Sequence, residues 1–297
     1  MARQTGEGRR RAALIAPAVL MIGLFMLVPV GIMAAISFME RGSGGGVNWG
    51  SFTTEPYLQF LFERDLDDSL LLNTDYLQIF FRSIWLAVLT TALTLAVGLP
   101  TALFMALQPE RRRNFLIFLV TIPFWTNLLV RNYAWILLLR NNGLIDQVLM
   151  GLGLRSEPIG VLYTTFSIAV GLTYTFMPFM VLPIYASLEK LDWRLIEAAY
   201  DLGADRWRAL RRVVVPLAMP GIAAGCILVF IPCLGAFVTP ELLGGGKALM
   251  IGNLIQSQFG AARNWPFGAA LSMALLAAVL LAMMLYLWRY RRAPGAA

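Results

Sequence analysis

Long apolar runs separated by short polar segments dominate the chain, and their lengths predict helices that cross a membrane. A helix of about 20 apolar residues crosses the hydrocarbon core of a bilayer, so each run is long enough to span it once. The runs cover residues 12–39 and 77–107, one stretch after each of Asn114, Val161 and Pro216, and a final stretch that ends at Trp288. The pattern therefore predicts an all-α membrane protein with six transmembrane helices.

Arginine is concentrated in one set of polar segments, and this predicts how the helices are oriented. Residues 1–11, 111–113, 194–212 and 289–292 are arginine-rich. Because such segments stay on the cytoplasmic side, both chain ends are expected there. The predicted organisation is a cytoplasmic N-terminus at 1–11, a first helix at 12–39, a periplasmic loop at 40–76, a five-helix core at 77–288 and a cytoplasmic tail at 289–297.

Two of these segments allow a second interpretation. Basic residues before an apolar run suggest a secretory signal, but the 28 residues of 12–39 exceed the 7–15 of a signal's hydrophobic region. An uncleaved first helix is therefore predicted. The loop 40–76 is acidic, and acidity would attract a cationic substrate or a docking protein. A solvated connecting loop is the plainer alternative.

Composition agrees with a membrane protein and excludes several kinds of chemistry. Of the 297 residues, 59% are hydrophobic and 14% are charged, against about 45–50% and 25% in soluble domains. The net charge of +7 comes from arginines beside apolar runs, so no nucleic-acid partner is expected. The chain has no histidine, which removes His-based metal sites and catalysis. Cys226 and Cys233 lie in one predicted helix and are expected to be small core residues.

Motifs for nucleotide binding and hydrolysis are also absent. Gly244–Lys247 lacks the spacing of a Walker A motif, and the chain contains no G-x-S-x-G or H-E-x-x-H pattern. We therefore expect no enzyme activity, no metal site and no cofactor bound by this chain. ATP would have to be used by another subunit.

A polar loop at 187–216 interrupts the apolar pattern, and its sequence predicts two short helices. Asp192 is a suitable N-cap for the first helix, and Gly203 is a suitable residue to end it. Asp205 is a suitable N-cap for the second helix, which runs toward Pro216. One predicted face of the first helix carries Leu188, Leu191, Leu195, Ala198 and Leu202. Such a hairpin either docks a partner or lies on the lipid headgroups as an amphipathic loop.

The spacing within this loop resembles the EAA loop of ABC-importer permeases. The matching residues are Glu197, Ala198, Ala199, Gly203, Val213, Val215 and Pro216, with valine in place of the usual Ile and Leu. In that family the loop is a coupling helix that sits in a groove of a cytoplasmic ATPase subunit, which uses the ATP and Mg²⁺. The resemblance implies the type I ABC-importer permease fold. It assigns ATPase coupling to Glu197, Ala198, Ala199, Asp201, Gly203, Ala204 and Pro216.

Further motifs resemble the spermidine/putrescine importer permeases of the first-permease type. These motifs are residues 123–127, 177–180, 188–192, 219–222, 241–245, 250–253 and 265–268. The resemblance implies a subunit of the bacterial inner membrane, surrounded by lipid. Its partners would be a second permease, two ATP-binding subunits and a periplasmic substrate-binding protein. Related importers carry opines and other amines, so an amino-acid-derived amine or another small solute is the alternative substrate.

Polar and aromatic residues at membrane depth or at the outer mouth are the candidate substrate contacts. They are Trp125, Asn127, Tyr133, Tyr174, Glu241 and Trp265. Aromatic faces and a carboxylate suit an organic cation, although an interfacial aromatic belt is the plainer interpretation of each Trp and Tyr. On a straight third helix Asn127 would lie about 18 Å above Phe115, just past the bilayer midplane. Arg131 would disfavour a cation unless an acid such as Asp146 pairs with it.

Two function hypotheses from other classes are weighed against an ABC importer. An ion-driven secondary transporter would work without ATP, but the predicted helices lack the buried acidic residues of a proton relay. A purely structural scaffold subunit would show no transport defect when the EAA loop is changed.

Overall fold

A computed structural model describes residues 2–64, 70–154 and 157–291, and most of them are helical. In chain order the helices are α1 (Ala2–Ile36), α2 (Glu55–Leu58), α3 (Thr74–Ala106), α4 (Glu110–Trp125), α5 (Leu128–Leu139), α6 (Leu144–Gly151), α7 (Thr165–Leu188), α8 (Arg194–Asp201), α9 (Arg206–Ala209), α10 (Val215–Leu234), α11 (Val238–Gly244), α12 (Ile251–Phe259) and α13 (Trp265–Arg291). Five helical stretches are long and apolar enough to cross a membrane: Leu14–Ile36, Thr74–Ala106, Thr165–Leu188, Arg206–Leu234 and Trp265–Met284.

Two small hairpins lie between α1 and α3, so the all-α prediction is corrected to a mostly helical fold. β1 (Met39–Arg41) pairs antiparallel with β2 (Val47–Phe52), and β3 (Phe62–Arg64) pairs antiparallel with β4 (Leu70–Leu72). In the first hairpin, Gly45 has a φ of +90°, a conformation that glycine adopts without strain. The Gly-rich stretch is therefore a hairpin turn inside the predicted loop 40–76.

The third predicted helix is broken in the structure. α4 and the helical stretch Leu128–Gly151 meet at an angle of 93°, so they form a sixth candidate span only if the bent pair is counted as one. Thr126 and Asn127 are extended, and the Asn127 side chain accepts the N–H of Leu129 at 2.8 Å. Asparagine is a favoured N-cap, so the break is encoded locally. α4 is helical from before Phe115 to Trp125, so the break changes the course of the chain after Asn127, and the depth predicted for Asn127 stays a prediction.

Both ends of the chain are more helical than predicted. α1 begins at Ala2 and includes the described part of the predicted N-terminal segment 1–11. α13 extends to Arg291, beyond the predicted end of the last helix at Trp288. Residues 292–297 of the predicted tail lie outside the described residues.

The chain divides into two compact units, and the second unit is Gln78–Leu254. Its most extensive helix–helix contact joins α7 and α10. Met180 and Ile184 of α7 are fully buried, and a Cβ placed on Gly225 of α10 would lie only 2.8 Å from the Met180 sulfur. Small residues allow membrane helices to approach closely, and the gain is van der Waals packing.

The two cysteines belong to this helix pair. Cys233 is fully buried, Cys226 is partly buried, and both are free thiols. The prediction of a small core residue is confirmed for Cys233, whereas Cys226 lies outside the buried core.

The first unit contains the described residues of 1–77 and 255–297. In it α13 packs against α1, and the first hairpin packs against α13. Arg41 donates a hydrogen bond from Nη2 to the Ala262 carbonyl oxygen at 2.8 Å, and the Gly46 N–H donates to the Arg263 carbonyl oxygen at 2.8 Å. The hairpin is thereby fixed to the turn that precedes α13.

Replacing Ser83 with alanine is expected to destabilise the second unit. The Ser83 hydroxyl is buried, accepts the N–H of Ile251 at 2.7 Å and donates to the Ile79 carbonyl oxygen. The alanine variant leaves a buried N–H unpaired, which costs about 1–3 kcal/mol. A lower thermal unfolding midpoint in detergent checks this expectation. Thr101→Val in the same helix removes a hydroxyl that bonds only Val97 O, and it should leave the midpoint nearly unchanged.

Candidate functional site

The loop 187–216 contains α8, whose first turn is capped by a carboxylate. Trp193 occupies the N-cap position, so the helix begins one residue later than predicted. Asp192 still contributes, because its Oδ1 accepts the N–H of Arg194 at 3.1 Å. This bond satisfies one of the N–H groups that the first turn of a helix leaves unpaired.

Gly203 ends α8, as predicted. Its φ is +80°, and its N–H donates to the Tyr200 carbonyl oxygen at 2.9 Å. The N–H of Ala204 donates to the Ala199 carbonyl oxygen at 3.0 Å. These two bonds form a Schellman motif, in which a residue in the left-handed region ends a helix. Ala199 and Ala204 therefore act through their backbones to redirect the chain toward α9.

Asp205 begins the second helix, and its predicted capping role is confirmed. Its Oδ1 accepts the N–H of Arg208 at 2.7 Å. The sequence predicted a second helix that runs toward Pro216. In the structure α9 continues through a π-helical turn, Leu210–Val214, and past Pro216 as α10. Proline has no N–H to donate, and a π-helical turn just before it accommodates the missing bond. The second helix of the loop is thus the beginning of the candidate span Arg206–Leu234.

Large apolar side chains of this loop are exposed. Leu202 is 88% exposed and Trp207 is 71% exposed, and Leu195 and Tyr200 are also exposed. We call these four residues the loop surface. Ile196 is the buried side chain of α8. The predicted apolar face is therefore corrected: its spacing assumed one helix from Leu188 onward, whereas α7 ends there and α8 begins at Arg194.

The predicted coupling residues lie on the accessible side of the loop. Glu197, Ala198, Asp201, Gly203 and Pro216 are exposed, and Ala199 and Ala204 are partly buried. None of them belongs to the core of this chain, so all are free to meet a partner subunit.

An ion pair connects the loop to the first turn of α4. Arg113 Nη2 lies 3.5 Å from Glu189 Oε1. A partly exposed pair of this kind contributes only about 0–1 kcal/mol, so it orients the loop more than it stabilises the fold. Sequence reasoning missed this contact because its two charged partners are far apart in the chain.

The predicted substrate contacts are distributed over several elements. In the second unit, Trp125 and Asn127 lie at the break after α4, and Trp125 is 84% exposed. Tyr133 lies exposed on α5, and Glu241 lies exposed in the first turn of α11. Tyr174 on α7 packs edge-to-face against Trp135, with the ring centroids 5.6 Å apart. In the first unit, Trp265 begins α13.

Arg131 does not pair with Asp146. The buried Asp146 carboxylate accepts the N–H groups of Asn142 at 3.0 Å and Ile159 at 3.2 Å. The Arg131 Nε is buried and has no hydrogen-bond partner within the described chain. The acid suggested by the sequence therefore stabilises a loop and leaves the guanidinium charge without a counterion among the described residues.

Metal binding finds no support in the part of the chain that the structure describes. Within residues 2–64, 70–154 and 157–291, no three side chains of His, Cys, Asp or Glu are grouped to hold a metal ion.

Comparison with known proteins identifies the family of this chain. Residues 98–293 match the family model of the binding-protein-dependent transport system inner membrane component. The chain belongs to this family of inner membrane components. It is 40% identical over 266 residues to the spermidine/putrescine transport system permease protein PotB of Haemophilus influenzae, covering 89% of this chain and 87% of the relative. It is 29% identical over 207 residues to the permease protein PotC of Escherichia coli, covering 69% and 67%.

The fold of this inner membrane component also occurs in solved structures. A chain of a bacterial alginate ABC transporter in complex with an alginate-bound periplasmic protein superposes with a TM-score of 0.74 at 15% identity. The match covers 100% of this chain and 99% of that chain. At this identity the likeness concerns the fold alone.

The family match covers only part of the inner membrane component. It includes the loop 187–216 and every candidate substrate contact, but it begins at residue 98 and leaves out α1 and both hairpins. Sequence reasoning also missed the exposure of Tyr200 and Trp207. Aromatic residues in a loop rich in charged residues were the available signal, although Trp193 of the same loop is only partly exposed.

Proposed function

We propose that this chain is one of two permease subunits of an ABC importer that carries spermidine and putrescine into the cell. The observation that carries the proposal is the 40% identity, over most of the chain, to a relative named as a spermidine/putrescine permease. Since the chain also resembles a second permease of such a system, we propose a partner of similar fold. A periplasmic binding protein would deliver the substrate.

The proposed membrane topology has six spans, with both chain ends in the cytoplasm. α4 and α5 together form the third span, and the arginine-rich segments lie on the cytoplasmic side. Most apolar side chains of Leu14–Ile36 are exposed in the single chain, which suits a helix that contacts lipid or the second permease. Both hairpins then lie on the periplasmic side.

The loop surface is the proposed contact with the ATPase. Leu195, Tyr200, Leu202 and Trp207 are exposed on a loop that the topology places in the cytoplasm, and burial of such side chains favours association. Because α9 is continuous with α10, a movement of the loop would be transmitted along one helix into the membrane. ATP binding would close the ATPase dimer, move the loop and turn the spans from inward-facing to outward-facing.

We also propose a substrate path along the aromatic and acidic residues of the chain. Its members are Trp125, Asn127, Tyr133, Tyr174, Glu241 and Trp265. Exposed aromatic faces attract organic cations, and the Glu241 carboxylate would pair with an ammonium group. Arg131 lies one helical turn from Asn127, so it would limit how long a polycation stays at that position.

Reconstitution tests the proposed function. The chain is combined with its second permease, ATPase and binding protein, and ATP hydrolysis is measured with and without spermidine-loaded binding protein. Stimulation by spermidine is expected. Stimulation only by another amine would support an ABC importer with a substrate other than spermidine. ATP-independent uptake by this chain alone would contradict the proposal.

Replacing Leu202 with glutamate is expected to weaken ATPase binding at least about tenfold, because a charge enters an apolar contact. Co-purification of the ATPase with the permeases measures this loss. Leu152→Glu, at a leucine that is 68% exposed after α6, is the matched control and should leave ATPase binding unchanged. Equal co-purification with both variants would contradict the assignment of the loop surface.

A further inference from the structure

A cavity of mixed polar and apolar lining lies entirely within the first unit, between the hairpins and the turn before α13. Its volume is about 480 Å³, within the range of about 300–1,000 Å³ that small-molecule sites occupy. Residues from the segment 41–76 form one side, and residues 258–267 form the other. The first of these segments lies outside the family match, which begins at residue 98, and the second lies inside it.

One positive and one negative side chain face this cavity. Arg41 and Glu55 both line it, and both also line an adjoining cleft of about 280 Å³. Across the described chain, ion pairs within 4.0 Å are limited to Arg113–Glu189 and Arg208–Asp205, so Arg41 and Glu55 are not paired with each other. The Arg41 guanidinium group and the Glu55 carboxylate therefore both line the cavity without forming an ion pair with each other.

The remaining cavity walls offer hydrogen bonds and an aromatic surface. Gln59 and Gln258 place side-chain amides at the cavity, and these amides have no protein partner among the described residues. Tyr76 and Phe267 form an aromatic wall, with ring centroids 5.2 Å apart. Amides can bond both ends of a polar ligand, and aromatic rings pack against its methylene groups.

The positive end of the cavity is held in place by the backbone. Arg41 donates from Nη2 to the Ala262 carbonyl oxygen, and a guanidinium group has further N–H donors that remain for an anion. Asn264 precedes α13 and accepts the N–H of Phe267 through its Oδ1, and the positive end of the helix dipole lies at this side of the cavity. A carboxylate is therefore favoured on this side, and an ammonium group is favoured beside Glu55.

We propose that this cavity binds a small zwitterionic amine, with its carboxylate on Arg41 and its ammonium group on Glu55. A polyamine suits the site poorly, because Arg41 repels a second ammonium group. A simple carboxylic acid has no ammonium group to pair with the Glu55 carboxylate. The cavity thus favours a different ligand from the proposed polyamine path, although Trp265 of that path is a sequence neighbour of the cavity residues Asn264 and Phe267. The proposal does not rest on the proposed function.

Binding of ω-amino acids to the assembled transporter in lipid nanodiscs tests the proposal. The probes are radiolabelled 4-aminobutyrate and 6-aminohexanoate. The competitors carry charge of only one sign: butylamine and putrescine are positive, and butyrate is negative. At least one ω-amino acid should bind about tenfold or more tightly than these competitors, since only it satisfies both charges. Butylamine or putrescine binding as tightly as both ω-amino acids would overturn the proposal.

Variants of the two charged residues locate the site. Glu55→Gln and Arg41→Gln should each weaken binding about tenfold, and Arg41→Lys should weaken it less because the positive charge is kept. Glu40→Gln is the matched control, because Glu40 lines only the adjoining cleft. Unchanged binding in Glu55→Gln, or no saturable binding at millimolar concentration, would overturn the proposal. The same purified proteins are also reconstituted into liposomes. Their spermidine uptake tests the proposed function independently of ligand binding in the cavity.

Discussion

Replacing Gly203 with valine is expected to lower ATP-dependent uptake at least about tenfold, while the chain still inserts into the membrane. Gly203 has a φ of +80°, which costs an L-residue about 1–2 kcal/mol and a β-branched residue more. The variant would release the two Schellman bonds that redirect the chain after α8. Because α8 buries only Ile196 among its described side chains, little else would hold the helix in its orientation. Uptake of labelled spermidine and an immunoblot of the membrane fraction measure both effects.

The substitution acts through the backbone, and this allows a matched control. A Cβ on Gly203 would have no atom within 4 Å, so no steric overlap complicates the result. Gly153, after α6, has a φ of +69° and equally open surroundings, and Gly153→Val should retain uptake. Gly203→Asn should also retain uptake, because asparagine tolerates the left-handed region. Wild-type uptake by Gly203→Val would contradict the coupling role of the loop.

The coupling loop could be predicted in large part because its signals are local. A glycine that ends α8 and an aspartate that caps α9 each act on residues within one or two turns. The apolar face was predicted wrongly, since its spacing was counted through residues 189–193, which lie between α7 and α8. Periodicity identifies a face only where the helix is continuous.

Hydropathy predicted the helices that are long and apolar enough to cross a membrane, but it did not predict their shape. The apolar run after Asn114 is long enough for one straight helix, yet the chain turns by 93° where Asn127 caps a new helix. The hairpin β1–β2 was missed because its strands are three and six residues long. The length of an apolar run reflects the free energy of exposing its side chains to water, and a bend in the chain hardly changes that free energy.

The cavity of the first unit could not have been predicted from the sequence. It joins Glu55 to Gln258 across most of the chain length, and no local pattern links these positions. The ion pair of Arg113 with Glu189 is invisible for the same reason. Interactions within one or two helical turns can be derived from spacing, whereas these depend on the packed fold.

Replacing Gly221 with leucine is expected to prevent the chain from accumulating in the membrane. Gly221 lies where α10 meets α7, and a Cβ there would overlap the Pro183 carbonyl oxygen and lie 2.9 Å from the Ser187 Cβ. The carbonyl belongs to the backbone of α7, so it cannot rotate away as a flexible side chain would. The two helices would have to separate along their main contact, which we expect to cost more than about 3 kcal/mol.

A size series and a matched site separate this steric effect from a general effect of leucine. Gly221→Ala adds only the Cβ and should lower the thermal unfolding midpoint of the purified transporter, with partial accumulation. Gly31→Leu, in α1, places the same side chain where no atom of this chain lies within 4 Å, and it should accumulate normally. Immunoblots of membrane fractions at equal expression measure accumulation. Normal accumulation and an unchanged midpoint for Gly221→Leu would show that α7 and α10 tolerate a wider spacing, and that the small residues of α10 are not what holds the second unit together.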